Sequence, residues 1–211
     1  MGGKIIMITS NKIILVEGKD EVEFISALCE REQLQSYQII EVGGVDRFKD
    51  ELPVIMNHPN FDDINSLTII RDADKSRQSA IQSLQSHLRK LKLPVPKEHA
   101  SVSIDNTSGL KVGIYIMPGN RDSGMLECLV LDSVSEHPVK MQADLYIQRI
   151  KNELPFEKFP KNEHKATLHA YLAGMRELVP SLGIATKKGY FNLDSEHFVE
   201  LKTFLNEMLN T

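Results

Sequence analysis

The sequence has only two cysteines, Cys29 and Cys128, far apart and without a CxxC partner. That argues against a disulfide framework and makes a reducing cytosol the simplest home. No apolar run approaches the ~20 residues a helix needs to span a bilayer. The apolar patch from Ile5 to Ile8 is too short for the core of a secretory signal. Myristoylation at Gly2 would want Ser or Thr where the chain has Ile6. The expectation is a soluble, cytoplasmic chain with no membrane partner.

Other absences narrow the chemistry. The seven histidines show no HxH or HxxxH spacing, and no GxSxG or Cys–His arrangement suggests covalent catalysis. Gly119 to Gly124 mimics a GxxxxG phosphate loop, but Met125-Leu126 stands where Lys-Ser/Thr is required, so it is not a Walker loop. The formal net charge of −4 provides no global positive field. This argues against a polybasic binder, but not against an enzyme that meets phosphates through metal ions. No repeat or low-complexity tract is visible.

What is present is an ordinary globular balance, 41% apolar and 26% charged, in a chain long enough for one core or one core plus a small lobe. Ile13-Ile14-Leu15-Val16 is a continuous β-rich run that stops at Glu17-Gly18, as expected for a strand covered on both faces. Val22, Ile25, Leu28 and Cys29 then repeat at helical spacing. A second strand is predicted over Gln38 to Val42, ending in Gly43-Gly44, and a helix from about Arg47 to Met56. Leu67 to Ile70 is the third β-rich run, stopping at Arg71-Asp72-Ala73-Asp74. Ile81, Leu84, Leu88 and Leu91 form a helical stripe within Lys75 to Lys92.

Residues Lys97 to Leu110 read as a loop with at most a short strand. Val112 to Met117 is a further strand, and a helix is predicted around Gly124 to Val134. Strands alternating with helices imply βα units and a mostly parallel sheet flanked by helices over residues 11–135. Residues 136–211 lack strand signals and read as a helical lobe of about three helices packed on the sheet domain. One predicted helix face carries Leu168, Leu172, Met175 and Val179, and another carries Phe198, Leu201, Leu205 and Leu209.

Residues that follow strands in an open parallel sheet project into the crevice at its carboxyl edge. Glu17 follows the first strand and Asp72 and Asp74 the third, so neighbouring strands would bring three carboxylates together. Such a group must either raise its pKa values or bind a cation. Oxygen donors without nearby Cys or His point to Mg²⁺ or Mn²⁺. In an extended segment the one-residue spacing of Asp72 and Asp74 sets both side chains on one face. Structural alternatives stand beside these readings: Asp20 as the cap of the helix beginning near Glu21, Asp74 as a cap of the Lys75 helix, and Glu127 as a surface glutamate.

The run Leu15-Val16-Glu17-Gly18-Lys19-Asp20-Glu21, followed by Asp72-Ala73-Asp74 after an apolar strand, resembles the Toprim domain. That domain is shared by type IA and II topoisomerases, bacterial primases, a ribosomal-RNA maturation ribonuclease and the overcoming-lysogenisation-defect (OLD) nucleases. The chain is most similar to a small Toprim-like family related to the OLD nucleases. That closer likeness is carried by Val42-Gly43-Gly44-Val45-Asp46, by Pro118-Gly119-Asn120 with Gly124-Met125-Leu126-Glu127, and by Lys165-Ala166 with Ala170-Tyr171-Leu172-Ala173.

The resemblance implies a Toprim-like α/β fold and a role for each matching position. Glu17 would be a metal ligand or general acid/base, and Asp72 and Asp74 would be metal ligands. Glu21 and Glu127 would be further acidic ligands, and Lys165 a late catalytic lysine. These 211 residues are too few to contain the separate ATPase domain that OLD proteins carry, and nothing in them supplies the tyrosine and gating domains of topoisomerases. Lys19, Arg47, Arg71, Lys75 and Arg121 fall near turns that should rim the crevice, and Lys19, Arg71, Lys75 and Arg121 are expected to meet phosphates.

The expected function is Mg²⁺-dependent phosphodiester cleavage of nucleic acid. The alternatives are a non-catalytic metal- and phosphate-binding module serving a separate protein partner, and a phosphohydrolase of small phosphates.

Overall fold

Every residue of Ile13–Val16 is buried, and alternate residues serve opposite cores. Ile14 and Val16 join one apolar cluster, whereas Ile13 and Leu15 join the other. The same parity divides the later strands: Ile70, Tyr115 and Met117 lie on the first side, and Leu67, Ile69, Val112, Ile114 and Ile116 on the second. A strand covered on both faces needs apolar residues at every position, which is why these runs are continuous.

The computed structural model describes residues 7–210. Its sheet holds β1 (Lys12–Val16), β2 (Gln38–Glu41), β3 (Ser66–Asp72), β4 (Ser101–Ile104) and β5 (Lys111–Met117) in the order β2-β1-β3-β5-β4. All neighbours are parallel except the edge strand β4, which runs antiparallel to β5. The helices are α1 (Lys19–Arg31), α2 (Phe48–Met56), α3 (Arg77–Lys90), α4 (Leu126–Asp132), α5 (Pro138–Glu153), α6 (Glu163–Ala173), α7 (Leu182–Lys187) and α8 (Val199–Leu209). The predicted α/β class, a mostly parallel sheet flanked by helices, is the architecture found.

Helices α2 and α3 cover one face of the sheet through Phe48, Leu52, Ile55, Ile81, Leu84 and Leu88. Helices α1, α4 and α8 cover the other, where Phe24, Leu129 and Phe204 meet Val16 and Tyr115 in one cluster. Each such buried side chain contributes roughly 1.5–3 kcal/mol relative to exposure. Helix α8 sits close to the sheet because β5 has a glycine there: a Cβ on Gly113 would lie 2.5 Å from Met208 Sδ and 2.9 Å from Phe204 Cζ. The Ser66 hydroxyl also donates to the Met208 carbonyl at 2.8 Å.

The structure refines the helical reading of the later residues. Four α-helices, α5 to α8, follow residue 136 among the described residues, where about three are expected. Helix α6 stops at Ala173 with Gly174 as its cap, so Met175 and Val179 do not continue the face of Leu168 and Leu172. Val179 is nonetheless buried in the same cluster. The stripe Phe198, Leu201, Leu205 and Leu209 is buried as expected. Of the apolar patch at Ile5 to Ile8, residues 5 and 6 lie outside the described residues, and Ile8 is buried. Among the described residues no helix is long and apolar enough to cross a membrane.

Candidate functional site

The sheet order fixes where a site can form. Strand β1 lies between β2 and β3, so the chain leaves its carboxyl end toward one neighbour first and the other later. The crevice of an open α/β sheet opens at such a reversal, outside the carboxyl ends of the strands. Glu17 is the residue after β1, and Asp72 is the last residue of β3. The Glu17 carbonyl accepts from the amides of Gly43 (2.9 Å) and Gly44 (3.0 Å), which holds the loop after β2 over the same strand end. Gly43 and Gly44 have φ of 86° and 124°, a backbone that other residues rarely adopt.

Around this strand end lies a groove of about 600 Å³, lined by Glu17, Lys19, Asp20, Glu21, Glu41, Asp72, Glu127 and Lys165. Helix α1 begins at once after β1 and delivers Glu21 from its first turn; the short helix α4 delivers Glu127 from its own. The Leu126 amide donates to Asp72 Oδ1 at 3.0 Å. Glu127, at 9% exposure, is buried, and its Oε1 lies 3.5 Å from Lys165 Nζ.

The electrostatics record the crowding. Burial pushes the Asp72 carboxyl well above the ordinary carboxylate range, and Glu21, Glu17 and Glu127 push the same way. Glu17 is raised by burial and then by Asp74, with Arg71, the Asp72 amide and Lys165 pulling back. Glu21 is raised by burial, with Glu127, Glu17 and Asp20 adding to it. Glu127 beside Lys165 is the main cause holding that amine above its usual value, and Asp72 and Glu21 contribute. Glu17 Oε2 is buried without a hydrogen-bond partner among the described residues. Such an atom costs about 1–3 kcal/mol or more unless something meets it. Among the described residues no three His, Cys, Asp or Glu side chains converge tightly enough to clasp an ion as they stand.

The expected shared face of Asp72 and Asp74 is not found. Strand β3 ends at Asp72, and Asp74 has φ of 52°, so the segment is not extended. Asp74 instead exchanges two backbone hydrogen bonds with Gly124, each 2.9 Å. The two carboxylates part: Asp72 lines the groove with Glu21 and Glu127, while Asp74 lines an adjoining cavity with Arg71 and Lys75. Glu17 senses both.

The family model described as Protein of unknown function (DUF3226) matches residues 11–210. The chain belongs to the DUF3226 family. Among solved structures, it is similar to the C-terminal region of the Xanthomonas campestris pv. campestris OLD protein, with a TM-score of 0.51 and 14% identity over 95% of this chain and 94% of that one. The C-terminal region of the Burkholderia pseudomallei OLD protein aligns at a TM-score of 0.47 and 12% identity over 96% of this chain and 100% of that one. The Xanthomonas likeness is one of fold. No curated protein matches the sequence.

The remaining expectations for this DUF3226 chain sort by position. Lys19 and Lys165 line the groove and Lys75 the adjoining cavity. Arg121 reaches neither; its guanidinium pairs with Asp132. Arg47 pairs with Glu51 at 2.8 Å. Asp20 does not cap α1, whose N-cap is Gly18; it accepts from the Gly183 amide of α7 at 3.0 Å. Asp74 does not cap α3, since Ser76 does so by accepting from the Ser79 amide. Glu41, the last residue of β2, joins the groove wall without having been singled out. Its signal is weaker than that of Glu17: it interrupts an apolar run, but Val42 parts it from Gly43-Gly44.

Proposed function

We propose that this DUF3226 protein cleaves phosphodiester bonds of nucleic acid with the aid of Mg²⁺ or Mn²⁺. The observation that supports this best is the pair Glu17 and Asp72 at the carboxyl ends of adjacent parallel strands. One has a buried oxygen with no hydrogen-bond partner among the described residues, and burial pushes the other well above the ordinary carboxylate range. A carboxylate cluster in that state is relieved by a cation. The donors are all hard oxygens, with no Cys or His among them, which suits Mg²⁺ or Mn²⁺.

Glu17, Asp72, Glu21 and Glu127 would hold the ion, while Asp74 lines the adjoining cavity and acts on Glu17 from there. When bound, the ion supplies Lewis-acid charge to a phosphoryl oxygen and makes water more acidic. The protein's own groups supply the rest. Glu17, with its raised carboxyl, is suited to taking up a proton from the attacking oxygen. Lys165, kept cationic by Glu127, faces the groove where a non-bridging phosphate oxygen would carry charge. Lys19 sits in the groove wall and would steady the phosphate backbone without reading bases.

The test is cleavage of plasmid and oligonucleotide substrates with Mg²⁺ or Mn²⁺. Glu17→Gln should lower the rate by about 10² or more, in the range expected for a lost acid–base group. Equal activity of wild type and this variant would end the reading. A formal net charge of −4, which gives no global field for nucleic acid, favours one second reading, a module that binds metal and phosphate only to serve a partner protein. Stabilisation by Mg²⁺ with no cleavage of any nucleic acid or nucleotide would support that instead.

A further inference from the structure

Beside the acidic groove, on the far side of Asp74, lies a second cavity of about 880 Å³. Its character differs from the groove's. Lys49, Arg71, Lys75 and Lys161 line it, against Asp46, Asp74 and Glu163. Glu163 is already engaged by Lys151 at 2.9 Å. Lys49, Lys75 and Lys161 make no ion pair among the described residues.

Arg71 is the decisive residue. It is 8% exposed, on β3 immediately before Asp72, and it lines the cavity. Among the described residues its side chain makes one hydrogen bond, from Nε to the Asp72 carbonyl at 3.3 Å. Its terminal nitrogens make no ion pair among the described residues, although Glu17, Asp74, Asp72 and Asp46 all act on it from a distance. A buried guanidinium is costly unless an anion meets it. The planar fork left free matches two oxygens of one phosphate.

The opposite wall is built to receive such a group. Ser76, the N-cap of α3, and Ser79 and Ser83 within the helix recur at helical spacing and line the cavity. Helix α3 is 14 residues long and its amino end borders the cavity; the Arg77 and Ser79 amides there are taken by the Asp122 carbonyl and the Ser76 hydroxyl, so the helix contributes its dipole and not free amides. His87 follows one turn later with a buried Nδ1 that has no hydrogen-bond partner among the described residues. Burial, Lys90, Arg71 and Lys49 hold its pKa down, so it offers a neutral hydrogen-bonding group and not a charge.

We propose that this cavity is a phosphate subsite, taking a phosphate ester of the nucleotide next to the one at the acidic groove. The subsite deepens the nucleic-acid reading and rests on it only for the identity of the chain that carries the phosphate. A polynucleotide or a free nucleotide could present the same group, so the test separates them.

The full chain is titrated with a short labelled oligothymidylate and, separately, with thymidine 5′-monophosphate, in EDTA and in Mg²⁺. The double variant Lys49→Ser/Lys75→Ser, at two exposed positions, should bind about tenfold more weakly and flatten the log–log salt dependence by about 0.7 per lysine. Arg71→Gln, checked for folding by its thermal melt, should do the same; Arg71→Lys should recover only part, because it keeps the charge and loses the fork. The pair Lys97→Ser/Lys158→Ser, away from both cavities, serves as control.

Loss with both probes assigns the subsite to a terminal phosphate, and loss with the oligonucleotide alone assigns it to an internal one. Unchanged affinity for both probes, an equal loss in the control pair, or no binding by wild type overturns the subsite. Because binding is read and not cutting, a protein that binds here yet cleaves nothing sinks the catalytic reading alone. Cleavage with unchanged binding in the lysine variant sinks the subsite alone.

Discussion

The backbone amide of Leu126 donates to Oδ1 of Asp72 at 3.0 Å, fastening the end of β3 to the first turn of α4. One carboxylate oxygen is thereby committed to holding Glu127 near the groove. The other makes no hydrogen bond among the described residues.

This arrangement sets a pH dependence. The folded chain retains a proton on Asp72 at pH values where the unfolded chain has lost it. Metal-free stability is therefore full below the ordinary carboxylate pKa and falls as pH climbs through the raised folded value. Glu17 and Glu21 shift in the same direction and add to the loss. In EDTA at neutral pH, Asp72→Asn should raise stability by on the order of 1 kcal/mol and flatten its decline with pH. It should also abolish the gain in Tm that Mg²⁺ gives the wild type. Thermal melts across pH, with and without Mg²⁺, check both; a variant that melts lower than wild type in EDTA contradicts the crowding.

Lys165 should matter for turnover and hardly at all for folding. Its side chain is 56% exposed and its contact with Glu127 is 3.5 Å, so the pair is worth at most about 1 kcal/mol. Lys165→Met should leave the melt within that margin while cutting the cleavage rate by about 10². A large fall in Tm with unchanged turnover would assign the lysine to structure.

Arg121 gives the opposite expectation. Its guanidinium is occupied by Asp132, outside both cavities. Arg121→Ala should leave nucleic-acid affinity unchanged within twofold and cost under about 1 kcal/mol. Lys19→Ala, in the groove wall, should weaken binding at low salt. A binding assay at two salt concentrations distinguishes the two positions.

Gly113→Ala tests how α8 is seated. The new methyl would press on Phe204 and Met208, and the aromatic ring has little room to yield. A loss of about 1–3 kcal/mol in chemical denaturation is expected, as for other overpacked cores. An unchanged denaturation midpoint would mean that α8 adjusts without strain.

Strand ends carried most of what the sequence disclosed. Ile13 to Val16 and Leu67 to Ile70 are continuous because both faces are covered, and the acids that follow stand out for that reason. Strand β4 was faint because Ser101–Ile104 is a four-residue edge strand with no fully buried position. Helix α7 has six residues, too few for a periodic stripe to declare itself. The divergence of Asp72 and Asp74 depends on a left-handed backbone at Asp74 and its pairing with Gly124, neither of which residue spacing reveals. Arg121 is near a turn in sequence, yet its distance from the crevice is set by Asp132 on another element. The burial of Arg71 was hidden likewise, since a charged residue at a strand end reads as surface.

The bond from the Gly183 amide to Asp20 crosses 163 positions of the chain. It joins α7 to the residue directly before Glu21, at the start of α1. A ligand that draws the first turn of α1 inward must therefore tug on α7 or break that bond. Occupancy at one end of the polypeptide would thus be felt at the other, and amide hydrogen exchange at Gly183 would register it.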